Sequence, residues 1–360
     1  MSPAAGDATA TGGGGDGDYA AAMHEVESNL EVRRLMLVLT NVLTPACLMA
    51  VSDCLSGAGG AALAWLPPLV VPLSGALLLA SGFLVTGVVA RCHFGLVVNG
   101  TKMRKVETGA LDLRPLNWLG VTTNFLALTA LSAGLGAIAL ASAFGLGGWS
   151  WAAGAVAAVL LMLWLPLGHA RANRRCRVLV AGWHGPAPST ALRAEHARKS
   201  LDGTTADISV VVVMAVALFA GAFNALTNLG GIPDGLALVP STATMQATAP
   251  ALLAAFLLVS LLLSCRILVR LRLALGEHSR KLAELRDEPD ATALVWRPQE
   301  RTYLLYAIVL VLAVASAVLF GWERGGRTVG LVAGGVVLGA GLGWYPLVLR
   351  AARRRAARAA

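Results

Sequence analysis

Charge is the scarcest ingredient of this chain. Only 14% of its 360 residues are Asp, Glu, Lys or Arg, while 56% are hydrophobic; a soluble domain carries about 25% charged residues. The apolar excess falls in blocks of roughly 20 residues, the length that crosses a hydrocarbon layer. A soluble enzyme, a disordered chain and a secreted disulfide scaffold are thereby excluded. Five cysteines without a C-x-x-C pair make neither a disulfide framework nor a zinc ribbon. The histidines His24, His93, His169, His184, His196 and His278 show no H-E-x-x-H or H-x-x-x-H spacing. His93 and His169 fall at the ends of apolar stretches, where an imidazole caps a helix. A phosphate-cradling G-x-x-x-x-G-K-[ST] loop is missing too, and no two carboxylates share an apolar stretch. The expectation is a chain with no catalytic residues, no metal and no cofactor.

Eight apolar stretches are present, near residues 35–53, 69–90, 117–139, 150–169, 208–226, 249–269, 302–320 and 328–349. The segments between them alternate in charge. Those on one side, including both terminal segments, hold 27 of the 29 Lys and Arg residues; the other side holds only Arg324 and Arg327. Basic loops resist translocation, so this alternation predicts an integral membrane protein with both termini cytosolic, in the plasma membrane or an endomembrane. It also accounts for the net charge of +9 without any nucleic acid.

Residues 1–32 carry no Lys or Arg but six acids, Asp7, Asp16, Asp18, Glu25, Glu27 and Glu31. That pattern fits neither a signal nor a transit peptide. With the glycine run at 12–15, it predicts a disordered acidic cytosolic tail. Asn99-Gly100-Thr101 matches a glycosylation sequon but falls on the expected cytosolic side.

The two halves resemble each other in order. Gly100-x-x-x-Arg104-Lys105 parallels Gly276-x-x-x-Arg280-Lys281, and Arg114-Pro115 parallels Arg297-Pro298. Ala141-Ser142-Ala143 parallels Ala315-Ser316-Ala317, and Trp164-x-Pro166-Leu167 parallels Trp344-x-Pro346-Leu347. With a Gly-Gly turn after the first and fifth stretches, the offsets run from 171 to 183. The predicted architecture is all-α: eight transmembrane helices built as two tandem parallel four-helix repeats. The first repeat covers 33–175, a cytosolic linker 176–207, the second repeat 208–350, and a basic cytosolic tail 351–360. Within the linker, Ser189 to Leu201 reads as a short helix.

The apolar stretches contain amides and hydroxyls rather than central charges. Asn41, Thr44, Asp53, Asn117, Asn124 and Asn224 are candidate cavity-lining residues, with interhelical hydrogen bonding as the competing role. Asn117 and Asn124 are seven apart and would share a helical face. Pro45, Pro166 and Pro346 are candidate kinks. Cys92, Cys176 and Cys265 stand near basic residues at the inner ends of even-numbered stretches. They are candidate lipidation sites, or simply small residues packed at helix ends. Gly335, Gly339 and Gly343 form a small-residue ridge for close packing, by default within the chain. The sixth stretch continues outward as an amphipathic helix. Together these features predict a channel or carrier for an ion or small neutral solute, with a cavity between the repeats. The alternative is a non-transporting scaffold or regulatory protein working through its loops. The partners expected are the lipid bilayer and a second copy or a membrane protein.

Overall fold

The computed structural model describes residues 14–55, 67–113, 116–117, 120–182, 187–229, 242–286 and 300–359. Among them every regular element is a helix: α1 (Gly14–Leu55), α2 (Pro67–Thr108), α3 (Val121–Ala143), α4 (Trp149–Leu179), α5 (Thr190–Leu229) and α6 (Thr242–Glu284). A last element, Glu300–Ala359, folds back on itself where Gly325 and Gly326 leave helical geometry, Gly326 at a φ of 76°. Its arms are α7 (Thr302–Trp322) and α8 (Gly325–Ala351). Eight helices are therefore long and apolar enough to cross a membrane. In hydrocarbon, a backbone must satisfy its own hydrogen bonds, and a helix does so within one segment.

Several helices are far longer than a crossing requires. The 42 residues of α1 or α2 span about 63 Å at 1.5 Å per residue, twice the thickness of a hydrocarbon layer. The surplus lies at the end of the bundle that carries the basic residues, called the basic end below. Residues 14–32 therefore correct the expectation of a disordered tail, since they are the first five turns of α1. Tyr19, Ala22 and Met23 are buried there and pack with Met103 of α2 and Leu192 of α5. Residues 1–13 lie outside the described residues. The separate linker helix is corrected in the same way: Ser189 precedes α5, which runs unbroken from Thr190 past 207. The continuation of the sixth stretch is as expected, with α6 reaching Glu284.

Packing is serial. α1 lies on α2, α2 on α3 and α4, and α3 on α4; α5 lies on α6, and α6 on the α7–α8 pair. The two series meet chiefly where α1 lies along α5, with a smaller contact of α3 on α6. Bare glycine backbones let α3 approach both neighbours, Gly136 against Gly75 of α2 and Gly134 against Gly154 of α4. The largest core cluster gathers Phe125 from α3, Leu218 from α5, Leu257, Leu261 and Leu268 from α6, and Tyr306 from α7. Burying each such side chain contributes about 1.5–3 kcal/mol where water is the reference. Between helices in lipid, close packing takes over that role.

Candidate functional site

The basic end holds the densest polar arrangement in the described residues. Its centre is Asp207 on α5. One carboxylate oxygen accepts from Arg33 Nη2 at 2.7 Å, and the other accepts from Arg34 Nε. Arg33 also donates to the Thr122 hydroxyl at the start of α3, and Arg34 donates to the Gly203 carbonyl at 2.7 Å. Arg33 and Asp207 are both only 6% exposed. Two guanidinium groups on one carboxylate leave the cluster with one net positive charge.

This cluster is one rung in a ladder. Asp16 accepts from the Ser189 amide at a sequence separation of 173. Glu27 meets Lys199 at 172, and Arg33 meets Asp207 at 174. Further along, the buried Pro45 ring lies against Gly221, so close that a Cβ on Gly221 would stand 2.5 Å from the Pro45 Cβ. A nearly constant separation along both helices means that α1 and α5 run side by side in the same direction. The helix pair is thus bound through charge at the basic end and through close packing beyond it.

A second group lies above the first. Glu107, at the end of α2, accepts from the Tyr19 hydroxyl at 2.7 Å and from Lys281 of α6 at 3.0 Å. Residues 107 and 281 are again 174 apart. Partial burial works to raise the Glu107 pKa, but the Tyr19 hydrogen bond and the Lys281 ammonium outweigh it and hold it low. Beside Tyr19, the His196 ring sits edge-on at 6.2 Å. Burial, followed by the charge of Lys281, pushes His196 down to about 4, so the ring is neutral at physiological pH.

α2 and α4 are joined by further polar contacts. His93 and His169 share a hydrogen bond of 3.1 Å, and the Asn173 amide donates to the other His169 nitrogen at 3.2 Å. With Asn173 donating, His169 Nδ1 carries the proton given to His93. The two rings bind each other, which corrects their expected role as separate helix caps. The cap of α4 is Lys105, whose ammonium donates to the Val180 and Ala181 carbonyls at 2.8 and 2.6 Å. A cation there complements the carbonyl-rich helix terminus. On α6, Arg272 is 2% exposed and bonds the Tyr345 hydroxyl, and Tyr345 stacks near Tyr306 with ring centres 4.7 Å apart.

The residues singled out from sequence are scattered around these groups. Thr44 is buried, and its hydroxyl donates to the Thr40 carbonyl one turn back. The Asn124 amide donates to Gly120, and Thr123 donates to Asn117. Asn117 itself precedes α3, so it shares no helical face with Asn124; the two organise the start of α3 instead. Asn224 is half-buried on α5. Asn41 and Asp53 stand on α1, with side chains outside the described residues. Pro45, Pro166 and Pro346 lie inside α1, α4 and α8. Cys92, Cys176 and Cys265 are all buried, at 4%, 0% and 3% exposure, the geometry of small packed residues rather than of accessible thiols. Gly335, Gly339 and Gly343 have nothing within 4 Å of an added Cβ, whereas Gly334 and Gly341 face α7. This corrects the expected packing of that ridge within the chain.

Sequence reasoning missed Asp207, Glu107 and Lys281 as partners and treated Arg33 and Arg34 only as topology signals. The one sequence signal for them was the spacing: both cross-pairs fall at 174, inside the range of offsets between the similar segments. Among the described residues, no group of three or more His, Cys, Asp or Glu side chains is placed to hold a metal ion. In comparison with known proteins, the chain matches no family model, no curated protein and no solved structure.

Proposed function

We propose that this chain is a non-enzymatic multi-pass membrane protein that moves an ion or small solute along the seam between two tandem, parallel four-span units. In this reading the basic end and both termini are cytosolic. Two features support the parallel units. The separations of 172 to 174 between bonded residues match the offsets between similar sequence segments. Equivalent residues of two copies touch only on a symmetry axis, and an axis between α1 and α5 brings such pairs together. The packing orders α1–α2–α3 and α5–α6–α7/α8 also follow one plan.

The observation that carries transport is the buried Arg33–Asp207–Arg34 cluster on that seam. A buried ion pair is weak support for stability, because desolvation consumes much of the attraction and apolar residues serve as well. Ionisable groups at the edge of a membrane interior are by default functional. A pair that joins two mobile halves, and opens when they part, uses the charges in a way that Leu cannot replace. The net positive charge favours an anion over a cation at this mouth.

The test is flux into liposomes loaded with purified protein, using chloride, inorganic phosphate, acetate and glycerol as probes. At least one probe enters, and Asp207→Asn changes its rate by about tenfold, the effect of roughly 1.4 kcal/mol. Arg198→Gln, an exposed charge away from the seam, leaves the rate unchanged. Impermeability to all four probes would remove this reading.

One set of observations favours a scaffold instead. Thr40, Thr44, Thr129, Ser132 and Ser264 all donate to carbonyls of their own helices, as residues of a closed, packed bundle do. On that reading the exposed basic end receives a membrane partner or a second copy. Co-purification of one stoichiometric protein with an impermeable bundle is its signature.

A further inference from the structure

α4 buries a single stripe, from Gly154 through Leu161, Leu165 and His169 to Cys176. The opposite stripe is open. Val156, Leu160, Leu163 and Leu167 are exposed by 51–59%. At the same three- and four-residue spacing, this open stripe continues into Arg171 and Arg174, with Arg175 and Arg177 on its flanks; all four arginines are exposed. Several basic side chains nearby are held by acids or carbonyls: Arg33 and Arg34 by Asp207, Arg104 by Asp112, Lys105 by Val180 and Ala181, Lys281 by Glu107. Among the described residues no ion pair or hydrogen bond reaches the four arginines of α4.

Depth decides what they meet. A crossing of about 20 residues places 150–169 in hydrocarbon. At 1.5 Å per residue, Arg171 then stands about 3 Å and Arg177 about 12 Å beyond it, within and just past the headgroup layer. Trp164, 42% exposed, lies just inside that boundary, where indole rings favour the interface. One helix face thus offers acyl-chain contacts, then an interfacial aromatic, then forked cation donors suited to a phosphate.

We propose that this face of α4 binds an anionic phospholipid from the leaflet on the basic side. Its acyl chains lie along Val156, Leu160, Leu163 and Leu167, and its phosphate is held by Arg171 and Arg174 with Arg175 and Arg177 alongside. The site needs no transport activity, so it stands or falls separately from the function proposed above.

Native mass spectrometry of the purified full chain, supplied with equal amounts of phosphatidylcholine and phosphatidylglycerol, tests it. The retained lipid is phosphatidylglycerol by about fivefold, the preference expected from roughly 1 kcal/mol of arginine attraction. Arg171→Gln with Arg174→Gln brings the ratio near one, whereas Lys at both positions keeps a preference and Arg198→Gln changes nothing. Millimolar inorganic phosphate does not displace the lipid, which separates a lipid site from a phosphate site. Should the double variant insert poorly, Arg174→Gln alone halves the ratio. A wild-type ratio of one, a ratio untouched by these substitutions, an equal fall in Arg198→Gln or displacement by free phosphate overturns the proposal.

Discussion

Glu107 and Lys281 meet at 3.0 Å, although they stand on α2 and α6, helices whose backbones make no direct packing contact among the described residues. Side-chain reach rather than helix packing brings the two together. Glu107→Lys therefore loosens the basic end, and adding Lys281→Glu restores part of the loss. The coupling is on the order of 1 kcal/mol, the scale of contacting charged residues. Melting curves of both single variants and the double variant in detergent measure it; strict additivity would show that the pair does not interact.

Acidification loosens the same region, and both titrating groups act with the same sign. His196 titrates near 4 in the folded chain and at about 6.5 when free. The stability tied to its neutral form is complete above pH 6.5, shrinks as pH falls below that, and is lost by about pH 4. A gap of that size corresponds to about 3 kcal/mol. Glu107 is held below its ordinary value, so its contribution is present above that value and is lost as pH falls through the folded one. Hydrogen-exchange protection factors at residues 16–30 of α1, taken against the intrinsic amide rate at each pH, fall between pH 7 and pH 4, and His196→Gln removes the part that begins near pH 6.5. Protection factors that stay flat over this range would refute the assignment.

The arms of the last hairpin touch through bare backbone. A Cβ on Gly330 would stand 2.7 Å from the Val318 carbonyl oxygen, whereas one on Gly335 meets nothing within 4 Å. Gly330→Val therefore destabilises the chain by about 2 kcal/mol, the usual cost of overpacking. Gly335→Val leaves stability nearly unchanged. Thermal unfolding of the two variants side by side is the measurement, and equal shifts would contradict the packing of α7 on α8.

Buried thiols are slow to react. Cys92, Cys176 and Cys265, each under 5% exposed, stay unlabelled by a membrane-permeant maleimide in the folded protein and react after denaturation. Peptide mapping by mass spectrometry locates the label. Rapid native labelling, or an acyl chain found on any of the three, would place these thiols at the surface.

How much of this was legible in the sequence depends on which physical rule governed each residue. Crossing segments follow from apolar run length alone, and all eight stretches are matched by helices. The extension of α6 was legible from its amphipathic spacing; those of α1, α2 and α5 were not, because they are stabilised by packing on one another rather than by lipid. Gly12–Gly15 and the acids around them pointed to a loose tail. The competing signal was the spacing of Tyr19, Ala22, Met23 and Val26, a helical stripe whose partners, Met103 and Leu192, are distant in sequence. The polar groups were harder still. Arg33 looks the same in sequence whether it only orients a span or also binds Asp207. Asn117 looked like part of a helical face because an apolar window does not register that α3 begins at Val121.

The reversal at Gly325 and Gly326 has a bearing on biogenesis. With hardly any residues between its arms, the final pair of crossings cannot be threaded one after the other with a pause in the aqueous compartment. In the topology proposed above, the two enter lipid jointly as a preformed helical hairpin that carries Arg324 and Arg327 across at its tip. Whatever machinery installs this protein has to accept that closing step as one event.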